Sequence, residues 1–141
     1  MDFAFKYIER NPLQLESEYG YSARQGRCRY DSSRGVGQVS AFKDVATGSA
    51  SQLRAAVAQQ PVSIAIEADQ NVFQMYTGGV ITSGCGSRLD HGVLAVGYGV
   101  ENGQDYFLVK NSWGPEWGVR GFVKIAPNQC GITNQASYPI E

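Results

Sequence analysis

The chain has 141 residues, of which 43 % are hydrophobic and 18 % are charged, and it contains 17 glycines. This composition excludes a disordered, collagen-like or coiled-coil protein and predicts one folded domain, or one domain with a remnant of another. With 12 basic and 13 acidic residues the net charge is −1, so there is no basic field for nucleic acid. No apolar run reaches the ~20 residues that cross a bilayer, so no membrane partner is expected.

The start of the chain lacks the pattern of a signal peptide, because Asp2 brings a charge at once and no apolar core follows. Residues 2–10 instead predict an apolar helix that ends at Asn11-Pro12. A chain that opens on an apolar helix favours the expectation that further polypeptide packs in front of it. The elements predicted next are a loop over 11–35, a weak strand over 36–45, a helix over 49–60 capped by Ser49 or Ser51, a strand over 62–66, a short helix over 71–76 and an extended segment over 77–81.

From His91 onwards the pattern is typical of β-structure. An apolar strand over 92–98 leads to Asn102-Gly103, a strong hairpin signal, and further strands follow over 105–110 and 121–125. The predicted fold class is therefore α+β, with an antiparallel sheet or barrel and one or two helices.

His91 and Asn111 are the residues with the clearest chemical potential. The hairpin through Asn102-Gly103 would bring the start of one strand and the end of the other to the same edge, where an amide could orient an imidazole. Trp113 could cover the pair and exclude water. The plainer alternatives are a structural histidine and ordinary core packing around a glycine turn.

The chain has three cysteines, Cys28, Cys85 and Cys130, so one is left over if disulfides form. Three buried thiols in a cytosolic protein are the alternative. A single histidine and the absence of a Cys-x-x-Cys pair leave a structural zinc site without enough ligands, so no metal is expected.

These motifs together resemble the papain-like cysteine peptidases, especially the cathepsin L-like branch. The resemblance is carried by Leu89-Asp-His-Gly-Val-Leu-Ala-Val-Gly-Tyr-Gly99, by Tyr106-Phe-Leu-Val-Lys-Asn-Ser-Trp-Gly114 and by Glu116-Trp-Gly118. Weaker matches run nearly from end to end, from Met1 to the tail Ala136-Ser-Tyr-Pro139. The resemblance implies a papain-like fold: residues 41–141 as the C-terminal barrel-like β-domain and residues 1–40 as a remnant of the helical domain.

The resemblance also implies roles for individual residues. His91 corresponds to the catalytic histidine, Asn111 to the asparagine that orients it, and Trp113 to the indole that shields their bond. The family hydrolyses peptide bonds through a thioester acyl-enzyme and needs no cofactor, so the implied partner is a peptide or protein substrate. The implied substrate-binding positions are Met1, Ala65, Leu89, Asp90, Gly92, Trp113 and Gln135, with the amide of Gln135 at the base of a pocket for apolar side chains.

The family's nucleophilic cysteine is not among these motifs. Its signature is expected roughly 130 residues before the histidine, which falls before Met1, and the oxyanion-hole glutamine is missing with it. The resemblance pairs Cys85 with Cys130 and leaves Cys28 without its partner. Ser112 follows Asn111, but its family counterpart is structural.

The sequence therefore predicts the C-terminal portion of a cysteine endopeptidase, recorded incompletely and inactive by itself. The alternatives are a short non-catalytic protein that binds peptides or a peptidase, and one half of a two-chain enzyme whose other chain supplies the missing N-terminal half. By resemblance the protein is lysosomal or secreted.

Overall fold

A computed structural model describes residues 1–141 as two compact units, one formed by Met1–Lys43 with Pro139–Glu141 and the other by Asp44–Tyr138. The helices are α1 (Asp2–Ile8), α2 (Ala50–Val57) and α3 (Asn71–Gln74), and the strands are β1 (Ala41–Asp44), β2 (Val62–Ile66), β3 (Val80–Ile81), β4 (His91–Glu101), β5 (Gln104–Lys110), β6 (Phe122–Ile125) and β7 (Ala136–Ile140). None of the helices combines the length and apolar character needed to cross a bilayer. The predicted division at residue 40 stays a prediction.

The N-terminal unit consists of α1, β1 and the loops between them, and none of its residues up to Lys43 is buried. Its contacts lie at the surface, such as the stacking of Phe5 on Phe42 with ring centroids 5.7 Å apart. The strand is shorter than the predicted 36–45, because Gly37 pairs with Leu13 in an isolated bridge and only Ala41–Asp44 form β1. This unit therefore holds together without a core of its own.

Helix α2 forms as its sequence pattern predicts. The Ser49 hydroxyl oxygen accepts a hydrogen bond from the Gln52 backbone N–H (3.2 Å), which satisfies one of the free donors of the first turn. The apolar stripe of Leu53, Ala56 and Val57 is buried. Burying such a stripe, rather than helix propensity alone, stabilises a helix of this length.

The strands form one seven-stranded sheet in the order β1-β7-β2-β4-β5-β6-β3. The two end strands are not hydrogen-bonded to each other, so of the predicted sheet or barrel the chain forms an open sheet. The β3–β6 pair is parallel, so the sheet is not purely antiparallel. Strand β7 did not stand out in the sequence because it contains Pro139, a residue that strand interiors usually exclude. The α+β class is confirmed.

The core lies in the second unit, on one face of the sheet. Strand β2 alternates strictly, with Val62, Ile64 and Ile66 completely buried. Burying each such side chain contributes roughly 1.5–3 kcal/mol. The matching face of β5 buries Phe107 and Val109. This packed sheet is the rigid support on which the residues of the candidate site stand.

Candidate active site

His91 and Asn111 reach the same place because β4 and β5 pair as a hairpin. Both residues of the connecting turn, Asn102 and Gly103, have positive φ (49° and 77°), the pattern of the turns that suit the twist of a hairpin. Strand β4 begins at His91, opposite Ile66 of β2, and Asn111 directly follows β5. The two functional groups therefore lie at one end of adjacent central strands.

A bulge in β4 decides which face of the sheet Asn111 shares. Counted from the turn, an uninterrupted ladder would place Asn111 opposite Leu94, on the other face from His91. The register shifts by one residue between Ala95 and Gly97, so Val96 is extra and the pairs beyond it are Ala95 with Val109 and Leu94 with Lys110. Asn111 consequently falls in line with Val93, on the same face as His91.

The imidazole and the amide are hydrogen-bonded. His91 Nε2 lies 2.8 Å from Asn111 Oδ1, and the same oxygen accepts the backbone N–H of Ser112 at 2.8 Å. Because the Ser112 N–H requires an acceptor, the amide must present its oxygen, and His91 Nε2 must therefore carry the proton. The lone pair of the neutral ring is then on Nδ1, which is left free to accept a proton.

Trp113 covers this pair. Its ring lies 5.2 Å from the His91 ring at an interplanar angle of 31°. Phe73 and Trp117 contact it edge-on, with centroids 5.3 Å away in both cases. Trp117 is fixed in turn, because its indole N–H donates to the Gln74 carbonyl oxygen at 3.0 Å. With Asn111 only 8 % exposed, these rings keep water from the bond that orients His91.

The predicted substrate-binding residues of this unit surround the start of β4. Ala65 pairs with Gly92 across the sheet, and the Ala65 N–H donates to the Gln135 carbonyl oxygen at 2.9 Å. Successive residues of a strand point to opposite faces, so the Ala65–Gly92 pair lies on the face opposite to the imidazole. Leu89 packs against Gly131, where a Cβ atom would come within 2.8 Å of its Cδ2.

Asp90 holds the backbone immediately before His91. Its carboxylate accepts the Ala68 N–H at 2.8 Å, and its own N–H donates to the Ile66 carbonyl oxygen at 3.0 Å. These two bonds extend the pairing of β2 and β4 beyond the end of the sheet. Asp90 is exposed and contacts backbone rather than the imidazole.

Glu67 is a member of the surroundings that sequence reasoning missed. It is 5 % exposed, and its carboxylate accepts the Arg88 backbone N–H at 3.1 Å and the Gln70 side-chain N–H at 3.0 Å. A Cβ atom at Gly86 would lie 2.2 Å from its Oε2, so a larger residue there would displace the Glu67 carboxylate. The available signal was a carboxylate directly after strand β2, whose alternate residues are completely buried.

An ion pair stands beside this segment. The Arg88 guanidinium donates to the Asp69 carboxylate, and this hydrogen bond holds the pKa of Asp69 below its ordinary value. Both side chains are substantially exposed, so the pair contributes little to stability.

The cysteines are divided as the family resemblance implied. Cys85 and Cys130 form a disulfide with Cα atoms 4.7 Å apart. Cys28 is a free, exposed thiol, and it belongs to the N-terminal unit. Met1 belongs to that unit as well, as the residue that precedes α1. The described hydrogen bonds of the His91 ring do not include any thiol.

Comparison with known proteins gives a consistent result. Residues 1–140 match the family model described as papain family cysteine protease. The chain is 46 % identical to the probable cysteine protease RD21B of Arabidopsis thaliana over all of its length, and 46 % identical to the oryzain beta chain of Oryza sativa subsp. japonica over 99 %. It spans 32 % of the length of each of these relatives.

Solved structures share the fold. The digestive procathepsin L 3 of the Tenebrio molitor larval midgut superimposes with a TM-score of 0.93 at 43 % identity, covering all of this chain and 48 % of that one. The bromelain protease of Ananas comosus, solved in complex with the E64 inhibitor, gives a TM-score of 0.92 at 33 % identity, covering 99 % of this chain and 68 % of that one.

Proposed function

Because this chain belongs to the papain family of cysteine proteases, we propose that it supplies the histidine and asparagine of a peptide-hydrolysing site whose thiolate belongs to further polypeptide. The observation that carries the proposal is the 2.8 Å bond between His91 Nε2 and Asn111 Oδ1, which directs the Nδ1 lone pair away from the amide. A ring held in one tautomer and one orientation is the base that an adjacent thiol requires.

The proposed reaction uses His91 as the proton carrier. Nδ1 takes the thiol proton, and the resulting thiolate attacks the carbonyl carbon of the scissile peptide bond. When the tetrahedral intermediate collapses, the C–N bond breaks and the imidazolium gives its proton to the leaving amine, which leaves a thioester. His91 then takes a proton from water, whose oxygen attacks the thioester and releases the acid product and the thiol.

Asn111 and Trp113 act through His91 in this scheme. The amide oxygen stabilises the imidazolium because an N–H bond to it persists in both protonation states. Trp113 excludes water from that bond with the face of its ring that lies against His91. Trp113 is 41 % exposed, and its outer surface would contact the leaving-group side of a substrate. Asn111 is therefore a positioning residue.

The substrate side chain is proposed to bind on the other face of the same strand end. Ala65, Gly92 and Gln135 meet there through backbone contacts, and we assign Leu89 and Asp90 to the same substrate-binding group. The role predicted for Met1, which belongs to the other unit, stays a prediction. The small residues at Ala65 and Gly92 leave space, and Gln135 carries no charge. These features favour an apolar substrate side chain over arginine.

The states of the three cysteines support a nucleophile from further polypeptide. Two cysteines are joined in a disulfide and the third is exposed, with no contact to His91 among its described interactions. The N-terminal unit also leaves large apolar side chains uncovered, with Phe3 87 % and Tyr21 89 % exposed. A second polypeptide segment that packed on this surface and carried the cysteine and the oxyanion-hole glutamine would complete the site.

A compartment outside the reducing cytosol fits the chain best. The Cys85–Cys130 disulfide persists where thiols are oxidised, as in secreted and lysosomal proteins. The description of the Tenebrio molitor relative as digestive agrees with such a location.

Complementation tests the proposed function. The purified chain is mixed with the cysteine-bearing segment of the Tenebrio molitor relative that lies outside the matched region, and hydrolysis of a fluorogenic dipeptidyl amide is followed. We expect activity only in the mixture, blocked by the E64 inhibitor and abolished by His91→Ala. The variant Cys28→Ser serves as the matched control and retains full activity in the mixture.

Two results would contradict the proposal. Hydrolysis by the chain alone that Cys28→Ser abolishes would show that the nucleophile is in this chain. A folded mixture that does not hydrolyse any dipeptidyl amide and does not react with E64, although both segments bind each other, would favour a non-catalytic role in binding peptides.

A further inference from the structure

A cavity of about 320 Å³ opens on the sheet beside β6, separate from the His91–Asn111 pair and its Trp113 cover. Its walls are mainly apolar and include Leu108, Val119 and Phe122. Small-molecule sites in proteins begin at about 300 Å³ and combine apolar walls with a few polar groups. The volume and the lining therefore fit a small organic ligand.

Three polar side chains line this cavity, and two of them already have partners within the protein. The Tyr76 hydroxyl donates to the Gly79 carbonyl oxygen and accepts the Lys124 backbone N–H. The Lys124 ammonium donates to the Glu101 carboxylate, which neutralises its charge. Arg120 is exposed and forms no ion pair, so its guanidinium is the one uncompensated charge at the cavity.

Arg120 also occupies a strained backbone position. Its φ is +54° and that of Gly121 is +87°, in a turn closed by the Val119 N–H to Phe122 oxygen bond (3.0 Å) and its reciprocal (3.1 Å). Two other pairs of consecutive residues have positive φ, Asn102–Gly103 and Cys130–Gly131, and of these first residues only asparagine is a type that tolerates this conformation well. Strain of this kind concentrates at functional positions.

We propose that this cavity binds a small amphipathic monoanion, an aryl or alkyl carboxylate whose apolar part lies against Leu108 and Phe122 and whose carboxylate pairs with Arg120. The apolar walls provide the contact area, and the single unpaired guanidinium sets the charge of the ligand. A neutral apolar ligand would leave Arg120 unused, and a dianion would place a second negative charge in an apolar cavity without a partner.

Trp117 provides a built-in reporter for this cavity. Its ring lies against Tyr76, a wall of the cavity, with centroids 6.0 Å apart and the planes tilted by 38°. Its indole N–H donates to the Gln74 carbonyl oxygen at 3.0 Å. A ligand that displaces the Tyr76 ring slightly would therefore shift the Trp117 indole resonance.

The test is a titration of the isotopically labelled 141-residue chain with 3-phenylpropionate, followed by NMR. We expect saturable shifts of Trp117, Arg120 and Phe122 with a Kd on the order of 1 mM. The neutral analogue 3-phenylpropionamide, which has the same shape, should bind about fivefold more weakly.

Variants separate the charge of Arg120 from the fold. Arg120→Asn relieves the strained turn, so we expect Tm to rise by roughly 3 °C while the affinity for 3-phenylpropionate falls about fivefold. Arg54→Gln, which changes a cation stacked on Tyr98 elsewhere, should leave the affinity unchanged. Shifts that do not saturate or that centre outside the cavity would overturn the proposal, as would equal affinities for the acid and the amide or for wild type and a folded Arg120→Asn.

Discussion

At the scale of single residues, the site depends on one amide oxygen that serves two donors. Asn111 Oδ1 accepts both His91 Nε2 and the Ser112 backbone N–H. The backbone bond fixes the amide, and the amide then fixes the imidazole. The position of the His91 imidazole is therefore set by the neutral amide of Asn111 rather than by a carboxylate.

The variant Asn111→Ala tests this dependence. It should change the His91 ring from a single Nε2–H tautomer to a mixture, as seen in the ¹⁵N resonances of the ring. The free energy of unfolding should fall by roughly 0.5–1.5 kcal/mol, because the part-buried hydrogen bond from the Ser112 N–H is lost. Ser112→Ala is the matched control, since it keeps that backbone N–H and should preserve the tautomer. A single unchanged tautomer in Asn111→Ala would contradict this account.

The Asp69–Arg88 pair gives a pH-dependent prediction. Asp69 has a lowered pKa in the folded state because Arg88 donates to it, so its contribution to stability is present above the unfolded pKa of about 3.9 and is lost as the pH falls through the folded pKa. Arg88→Gln should raise the Asp69 pKa towards its ordinary value and reduce this acid loss. NMR titration of the Asp69 carboxyl measures the shift, and Arg54→Gln should leave it in place.

At the scale of elements, two constraints act around β4: a covalent one, the disulfide, and the register of its pairing with β5. The disulfide joins Cys85, shortly before β4, to Cys130, shortly after β6, across a sequence separation of 45 residues. The bulge accommodates Val96 as an extra residue, so that the pairing beyond it keeps Asn111 on the face of His91. The first constraint limits the unfolded chain, and the second sets the geometry of the site.

Cys85→Ser should lower the free energy of unfolding by about 2–4 kcal/mol, the usual effect of opening a loop of this size. Urea denaturation under non-reducing conditions measures it. Cys28→Ser, which removes the free thiol, should leave the midpoint unchanged. Equal midpoints for wild type and Cys85→Ser would refute a stabilising role for this disulfide.

Two single-residue deletions distinguish the bulge from the rest of the hairpin. Deleting Val96 leaves the pairs Ala95–Val109 and Gly97–Leu108 in place, so the His91–Asn111 bond should persist. Deleting Lys110 moves Asn111 by one position and turns its side chain to the other face, so the bond should be lost. The ring ¹⁵N resonances of His91 report both results, and loss of the bond in the Val96 deletion alone would contradict the register argument.

At the scale of the whole molecule, the two units differ in how they are stabilised. The unit of residues 44–138 contains the buried core, including Leu53, Ile64, Phe73 and Ile125, which are completely buried. In the N-terminal unit none of residues 1–43 is buried. Local stability follows buried apolar contacts, so the two units should open with different free energies.

Native-state hydrogen exchange checks this difference. The amides of β2, β5 and β6 should exchange slowest, with opening free energies near the global value, while those of residues 2–34 should exchange with little protection. Adding the complementing segment should protect the amides of α1 if that segment packs on the unit. Equal protection in both units of the chain alone would show that burial does not set their stability.

Much of the fold could be predicted from neighbouring residues. The Ser49 cap, the alternation of β2 and the turn at Asn102-Gly103 each depend on a few adjacent side chains and their preferred dihedral angles, so a single sequence contains enough information. The order of strands and motifs likewise pointed to the papain family, to which the chain belongs.

The rest required the tertiary structure, because it depends on partners far apart in the chain. The sequence placed His91 and Asn111 at one edge, but the register of β4 on β5, in which Val96 is accommodated as an extra residue, decided that they share a face. Burial of the Glu67 carboxylate is satisfied by a backbone N–H 21 residues away, and the open sheet follows from which strands remain unpaired. Local conformational preference determines where a helix begins, where a turn forms and how the side chains of a strand alternate. Strand register, sheet closure and the burial of a side chain are decided only when segments distant in sequence pack together.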